Sequence, residues 1–390
     1  MRIAFITTSF PLTECSVSGV FVEKLAWHIA QEENLFVVVP SGTTRQKISS
    51  QKPYAITEFR YAPRKWQLIA HQCGGIPVVF KKHRWLILFI PAFIVSMLIT
   101  TIRAGMRSDL IHANWALTGA IAGLAGKLTR TPVITTLRGS DVSRYEKSWV
   151  DRLILRICIK TNKRVIAVCK PLMGEVSKYF PHATNKLLSV HNGVDESFLK
   201  IKKHYNKSSL FRIISIGSLI PRKNMSLIFK ALAELGDLSD IYVDIVGDGL
   251  EYDMLLQLGD ELGLGERLRL TGSIVPNDLP EYLGVADVFV LSSYAEGRPN
   301  SVIEALASGV PVIATDIEGV SEIITHDKNG LLFPSGDHIA LANALTRLKE
   351  DPDLRREIAK NGRNYIIENK LSWTNCAGQY LNIYKDIHKK

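Results

Sequence analysis

Short apolar runs and amphipathic stretches alternate from the first residues of this chain, and near residue 210 the alternation starts afresh. In the first half Ile3–Thr8, Phe36–Val39, Leu110–Ile111, Val133–Thr136, Arg164–Val168 and Leu187–Val190 read as strands. Helices at Val20–Gln31 and Leu117–Leu128 fall between them. In the second half Arg212–Ile216, Ile241–Val246, Leu268–Thr271, Val288–Leu291, Val312–Ala314 and Leu331–Phe333 read likewise. Helices at Met225–Leu235, Tyr252–Leu262 and Ser301–Ser308 separate these, and two amphipathic helices close the chain. Strands alternating with helices imply a parallel sheet covered on both faces. A length of 390 residues exceeds what one core usually supports. The expected fold is therefore α/β, two Rossmann-like doubly wound parallel-sheet domains in series. The first spans residues 1–199, a polar linker 200–209 follows, and the second spans 210–370, with a terminal segment 371–390.

Charge separates the halves. Residues 1–200 carry 27 Lys and Arg against 12 Asp and Glu, whereas residues 201–390 carry 21 against 26. A basic half beside a slightly acidic one suggests that the first faces a polyanion. The cations are scattered among helices without an RNA-binding or zinc-finger signature, so nucleic acid is disfavoured and an anionic membrane is the expected partner. Trp85–Ile102 bears on this. It is eighteen residues without a charge, between Lys81, Lys82 and Arg84 on one side and Arg103 and Arg107 on the other. Its length stands at the lower bound for a span. A buried helix and an interfacial helix are both open readings; a span is disfavoured because the flanking strands belong to one sheet. Five scattered cysteines with no CxxC pair suggest neither a disulfide framework nor a zinc site. Together with an N-terminus unlike a signal peptide, they give a cytoplasmic expectation, peripheral on the inner face of a membrane.

The usual cofactor and protease fingerprints fail. Gly247-Asp248-Gly249 follows a strand but lacks the third glycine of a dinucleotide loop, and no HExxH or catalytic triad signature occurs. Asp351–Asp353 encloses Pro352 and reads as a helix cap. The informative stretch is EGRPNSVIEALASGVPVIAT, Glu296 to Thr315. A strand ends near Leu291, a loop carries Glu296 and Gly297, and Pro299 prepares a helix for which Asn300 and Ser301 are capping-type residues. Such a helix start is a natural anion site, and Glu304 stands about one turn into it. A loop carboxylate, exposed amides and a helix carboxylate together suit a polyhydroxyl ligand bearing phosphate.

With its two glutamates eight positions apart, this stretch resembles the signature of the retaining glycosyltransferase family 4, of GT-B architecture, in its bacterial glycan-biosynthesis type. The resemblance covers nearly the whole chain, through SFPLTECSVSGVFVEKLA, VHNGVDESF, VGDGLE, LTGSI, EGVSEII and the terminal LSWTNCAGQYLNIY. It implies two domains facing a central cleft, a last helix crossing back to the N-terminal domain, and the donor's nucleotide on the C-terminal domain. It also implies a nucleoside-diphosphate sugar as donor and a glycan or lipid-linked glycan as acceptor. Carried over residue by residue, Glu304 would bind the donor ribose and Glu296 the transferred sugar. Amides of Gly297, Asn300 and Ser301 would hold sugar and phosphate, Ile274 would lie against the base, and Gly19 would let the first loop approach the diphosphate.

Two positions depart from the family. Where it usually has an Arg five residues before a Lys, this chain has Ser218 before Lys223; Arg222 either substitutes or points to solvent. Where many relatives place a His, TTLRGSDV has Arg138, which cannot act as a base at ordinary pH but can grip an anion. Glu296, Lys223 and Arg138 are the expected catalytic residues, and no cofactor or metal is expected to be required. His112, at the end of an apolar strand, reads as structural, and Asn192 as a hinge turn residue. The alternatives are a sugar-nucleotide epimerase or hydrolase of the same architecture, or a non-catalytic partner of another glycosyltransferase.

Overall fold

A computed structural model describes residues 1–12, 16, 18–43, 52–71, 76–201, 210–236 and 238–388. The chain divides into two compact units, Met1–Gly193 with Trp373–Lys390, and Val194–Ser372.

The first unit is built on seven parallel strands in the order β3-β2-β1-β4-β5-β6-β7. They are β1 (Arg2–Ile6), β2 (Asn34–Pro40), β3 (Ala55–Phe59), β4 (Leu110–Asn114), β5 (Val133–Leu137), β6 (Arg164–Ala167) and β7 (Leu187–Ser189). Its helices are α1 (Val20–Ala30), α2 (Ile76–Lys82), α3 (Ile90–Gly105), α4 (Ala116–Thr129), α5 (Trp149–Thr161) and α6 (Lys170–Tyr179). The two-residue period of β1 explains the layers. Ile3 and Phe5 join the core that holds Val22, Leu25 and Ile29 of α1, while Ala4 and Ile6 join the core that holds Phe93 and Met97 of α3. The strand order reverses between β1 and β4, which puts a switch point at their carboxyl ends. β3 went unread because AITEF at the sheet's edge alternates weakly and is mostly half-exposed.

The second unit has six parallel strands in the order β10-β9-β8-β11-β12-β13. These are, in chain order, β8 (Phe211–Ile216), β9 (Ile241–Val246), β10 (Leu268–Gly272), β11 (Val288–Leu291), β12 (Val312–Thr315) and β13 (Leu331–Phe333). The unit opens on α7 (Glu196–Leu199); α8 (Ser226–Glu234), α9 (Tyr252–Glu261), α10 (Leu279–Val285), α11 (Asn300–Ala307) and α12 (Glu318–Ser321) follow. Three helices end the chain, not two: α13 (His338–Glu350), α14 (Pro352–Glu368) and α15 (Trp373–His388). Asp351 separates the first two, its carboxylate accepting from the Leu354 amide at 2.9 Å, which is the capping role its sequence suggests.

The division falls at Gly193/Val194, ahead of the expected linker. Val194 pairs with Ser372, and Phe198 of α7 is buried in the second unit's core, so residues 194–199 belong there. Of the expected linker, residues 202–209 lie outside the described residues, as do Cys15 and Cys73. Cys158, Cys169 and Cys376 are buried thiols outside any disulfide. α15 belongs to the first unit, where Tyr380 and Tyr384 are fully buried and their hydroxyls reach Thr136 (2.9 Å) and His112 (2.7 Å).

Trp85–Ile102 is not one continuous buried helix. A 3-10 turn covers Arg84–Phe89, and α3 starts at Ile90 with Pro91 in its first turn. Arg84–Gly105 is long and apolar enough to cross a membrane by length and composition, yet only 22% of its most apolar stretch is buried. Leu86, Phe93, Met97 and Ala104 face the core, and Leu88, Val95 and Ile99 face outward.

Candidate functional site

Loops at the carboxyl ends of β8, β9 and β10 are tied to one another by their backbones. Gly217 donates to Val246 (2.9 Å), Leu219 to Asp248 (2.9 Å) and Gly247 to Gly272 (2.9 Å). The approach is closer than side chains allow. A Cβ on Gly247, at φ +148, would stand 1.9 Å from the Gly217 carbonyl oxygen, and one on Gly249 would stand 2.2 Å from that of Leu219. VGDGLE is thus a packing motif first.

From this base Pro221–Lys223 forms a short 3-10 turn, and the loop after β11 brings Glu296 against it. The Lys223 ammonium donates to Glu296 Oε1 at 2.6 Å and the Ser293 hydroxyl to the same oxygen at 2.7 Å. Arg222 donates to the Ala295 carbonyl at 2.7 Å and stands 3.4 Å from Glu296 Oε2. The Glu296 side chain is 8% exposed, that of Lys223 13% and that of Arg222 46%, so the lysine pair is the desolvated one. Burial by itself pushes the Glu296 carboxyl up. The charges of Lys223 and Arg222, with the hydrogen bonds, more than reverse this and hold it below the usual carboxylate value. Glu296 is ionised.

The loop that carries Glu296 is held from below by residues the sequence reading passed over. Arg298 is fully buried and pairs with Glu322 at 3.3 Å. A Cβ on Gly319 would meet the carbonyl oxygens of Glu296 (2.4 Å) and Gly297 (2.5 Å), so EGVSEII supplies the one residue that lets α12 lie against this loop. α11 starts directly after it. Pro299 occupies the cap position and no side chain caps it there, so Asn300 and Ser301 are its first two helical residues and not caps. That corrects the expected boundary by one residue; the fixed φ of proline, −73° here, leads straight into the first turn. Glu304 is half-buried on the same helix. Ile274 follows β10 and packs, half-buried, against the core that holds Val246 and Leu283.

Arg138 and Gly19 lie in the first unit. Gly19 caps α1 at φ +78, and a Cβ there would sit 2.5 Å from the Ser9 carbonyl oxygen, so the chain's own first loop demands glycine. Residues 13–15 and 17 of that loop lie outside the described residues. Arg138 follows β5, half-buried. It donates to the Asn192 and Asn114 side-chain oxygens at 2.8 and 2.7 Å, and Phe21 lies 5.0 Å from its guanidinium. Its Nε is buried without a hydrogen-bond partner among the described residues. Burial lowers the guanidinium below its usual value, opposed by Tyr380, Cys376 and Asp141. Asp141 does not pair with that guanidinium. It accepts from the backbone amides of Arg138 (3.2 Å), Gly139 (3.0 Å) and Ala116 (3.0 Å), fixing the loop.

Asn192 is therefore a partner of Arg138 and no mere turn residue. Asn114, Asp141 and Trp115 were also missed. Trp115 holds φ +70 between β4 and α4, a conformation that costs a non-glycine residue energy and clusters at functional sites. His112 is structural. Its ring is buried between Tyr384 (2.7 Å) and Thr136 (2.8 Å) and stacks on Tyr380, and burial with the Arg138 charge drives it well below its usual pKa.

The comparisons agree with this division of parts. The profile described as "Glycosyltransferase Family 4" matches residues 20–198, and that described as "Glycosyl transferases group 1" matches residues 197–365. An Escherichia coli relative, UDP-Gal:alpha-D-GlcNAc-diphosphoundecaprenol alpha-1,3-galactosyltransferase, is 30% identical over 296 residues, 72% of this chain and 76% of its own. The N-acetyl-alpha-D-glucosaminyl L-malate synthase of Bacillus anthracis is 28% identical over 289 residues, 72% of this chain and 75% of its own. In fold, the chain is similar to Anabaena HepE, solved in complex with UDP-glucose, with a TM-score of 0.77 at 19% identity over 99% of this chain and 100% of that one.

Proposed function

This chain belongs to glycosyltransferase family 4, with the GT-B fold, and we propose that it is a retaining enzyme of cell-surface polysaccharide or lipid-linked oligosaccharide synthesis. The carrying observation is the Glu296–Lys223 pair before α11: a buried carboxylate kept ionised, beside a helix start. Its donor is a nucleoside-diphosphate sugar bound on the second unit. Glu304 takes the ribose hydroxyls and Ile274 the base. Amides around Gly297, Asn300 and Ser301 take sugar and phosphate. Glu296 orients the transferred sugar. Lys223 and Arg222 stabilise the diphosphate as it leaves, so the cation missing at Ser218 is replaced by its neighbour four positions on.

In the transfer step the bond from the anomeric carbon to the phosphate oxygen breaks while the acceptor oxygen bonds to that carbon on the same face. The acceptor's proton passes to the departing phosphate oxygen, so no protein base is needed. Lys223 and the α11 amides supply fixed positive charge, and activity without a divalent cation is part of the proposal. Arg138, a permanent cation held by two neutral amides, takes an anionic group of a substrate. The excess of 27 basic over 12 acidic residues in residues 1–200, with the apolar stretch Trp85–Ile102, supports a peripheral position on an anionic membrane at the cytoplasmic face, where a lipid-linked acceptor is within reach.

The test is a thermal-shift panel of nucleotide sugars on the purified chain, headed by UDP-glucose because HepE was solved with it, followed by product analysis. Expected is stabilisation by one nucleotide class and transfer of the sugar, configuration retained, in the presence of EDTA. A donor that is only epimerised or hydrolysed overturns the reading, and inverted product overturns the retaining step.

A further inference from the structure

We infer that the outer surface of α3, α4 and α5 is one docking face for an anionic lipid bilayer, anchored by Trp85 and Trp149, with no helix crossing. The inference rests on the membrane-peripheral reading above and widens it from one segment to a three-helix layer.

The layer follows from topology. The crossovers from β3 to β4, β4 to β5 and β5 to β6 all step the same way along the sheet, so right-handed connections put α3, α4 and α5 side by side on one face. α4 is made largely of small residues and lets its neighbours close in. A Cβ on Gly119 would stand 2.6 Å from Cys158 Sγ of α5, one on Gly123 1.8 Å from Thr161 Oγ1 of α5, and one on Gly105 of α3 2.8 Å from Thr129 Oγ1 of α4.

What this layer turns outward is apolar. Val95 and Ile99 on α3, Leu124 and Leu128 on α4, and Trp149 and Leu153 on α5 are all exposed, Leu128 by 71% and Trp149 by 69%. Single exposed apolar residues are ordinary, but an array shared by three adjacent helices marks an interaction surface. Trp85 and Trp149 stand near the start of the first and last of these segments, and indole favours the boundary between headgroups and acyl chains.

Charge identifies the occupant. The same helices, with the turn before α3, carry Arg84, Arg103, Lys127, Arg152, Arg156 and Lys160. Their one carboxylate, Asp151, already pairs with Arg144 at 3.2 Å. Apolar side chains ringed by cations match a bilayer with anionic headgroups, whereas a second copy of this chain would present the same sign. A span is excluded by the inner stripe. Leu86, Phe93 and Met97 share a core with Phe59, Ile111 and Val133, which withdrawal of α3 would leave uncovered.

The experiment uses the full chain, sedimented with phosphatidylglycerol-containing vesicles or with pure phosphatidylcholine vesicles. Three paired variants, V95S/I99S, L124S/L128S and W149S/L153S, change exposed residues only, and an unchanged melting temperature shows that each is folded. Expected is partition onto the anionic vesicles and weakly onto the neutral ones. Each pair should lower it roughly tenfold, the scale of withdrawing a partly buried apolar side chain. Quenching of tryptophan fluorescence by brominated phosphatidylglycerol should fall in both Trp85→Phe and Trp149→Phe. Loss confined to V95S/I99S, with L124S/L128S and W149S/L153S partitioning like the wild type, overturns the three-helix face and leaves the peripheral reading standing. No partition of the wild type onto anionic vesicles overturns both. Release only by detergent, from neutral and anionic vesicles alike, shows a span and overturns the inference. A dimer in solution that W149S/L153S dissociates, without vesicle binding, shows a protein interface instead.

Discussion

Both units hold a cation on the loop after a parallel strand, and they settle it by opposite means. In the second, Lys223 meets a buried carboxylate, Glu296, at 2.6 Å, and the pair is nearly neutral within itself. In the first, Arg138 meets the neutral oxygens of Asn114 and Asn192, while the nearby carboxylate of Asp141 is spent on backbone amides. A paired charge is a structural liability if either partner is removed. A charge held by amides keeps its field for something else. The contrast gives Lys223–Glu296 the larger share in stability beside its chemistry, and Arg138, held by neutral amides, the smaller one.

The largest effect that sharpens the contrast is therefore expected at Lys223. Lys223→Ala leaves an ionised, buried Glu296 without its main partner, and should lower stability by about 3–5 kcal/mol, read as a fall in melting temperature, with transfer lost. Acid should act on the same pair. The folded Glu296 carboxyl titrates below its unfolded value of about 4.3, so its contribution is complete above that value and fades as pH falls through the folded pKa. Glu296→Gln should flatten this acid limb of the stability–pH curve while reducing turnover. An acid limb unchanged in Glu296→Gln would mean that other carboxylates set it.

Arg138→Gln comes next. It removes two charge-assisted hydrogen bonds but strands no charge, so the expected cost is about 1–3 kcal/mol, smaller than for Lys223→Ala. Its turnover should fall far more than its stability does. If the two variants lose equal stability, the distinction between the paired and the amide-held cation fails. Smaller again is Tyr384→Phe, which deletes only the hydroxyl on His112 Nδ1, for about 1 kcal/mol, with substrate affinity untouched.

Much of this was legible in the chain, and the parts that were not share a cause. Strands such as Ile241–Val246, Val288–Leu291 and Leu331–Phe333 read correctly to the residue because each is a short, mainly apolar and mainly buried run. β3 was invisible because in AITEF only Phe59 is buried, so its sequence shows no apolar run. Glu296 stood out in a loop between a recognisable strand and helix, and Lys223 only through the family resemblance; the fold does bring them together across seventy-odd positions. Asn114 and Arg298 were given no role, and Asn192 was read only as a turn residue, because their partners Arg138 and Glu322 are distant in sequence and only packing brings them together. Trp85–Ile102 shows the converse, since composition fixes its apolarity but not which stripe the sheet covers.

Arg222 gives the smallest effect and the finest division within the second unit. It shares Glu296 with Lys223, yet it is 46% exposed and 3.4 Å away, and its shorter bond is to the Ala295 carbonyl. A solvated pair of this kind contributes about 0–1 kcal/mol. Arg222→Ala should therefore leave the melting temperature nearly unchanged, because Lys223 and Ser293 still hold the carboxylate. Donor binding is where it should register, if Arg222 replaces the cation absent at Ser218. A roughly tenfold or greater weakening follows from losing one charge-assisted hydrogen bond to phosphate, measurable by titrating the nucleotide sugar against wild type and variant. Ser218→Arg in the Arg222→Ala background should restore part of that affinity. Undiminished donor binding in Arg222→Ala would leave Lys223 and the α11 amides as the whole diphosphate site, with Arg222 a surface residue hydrogen-bonded to its neighbour's loop.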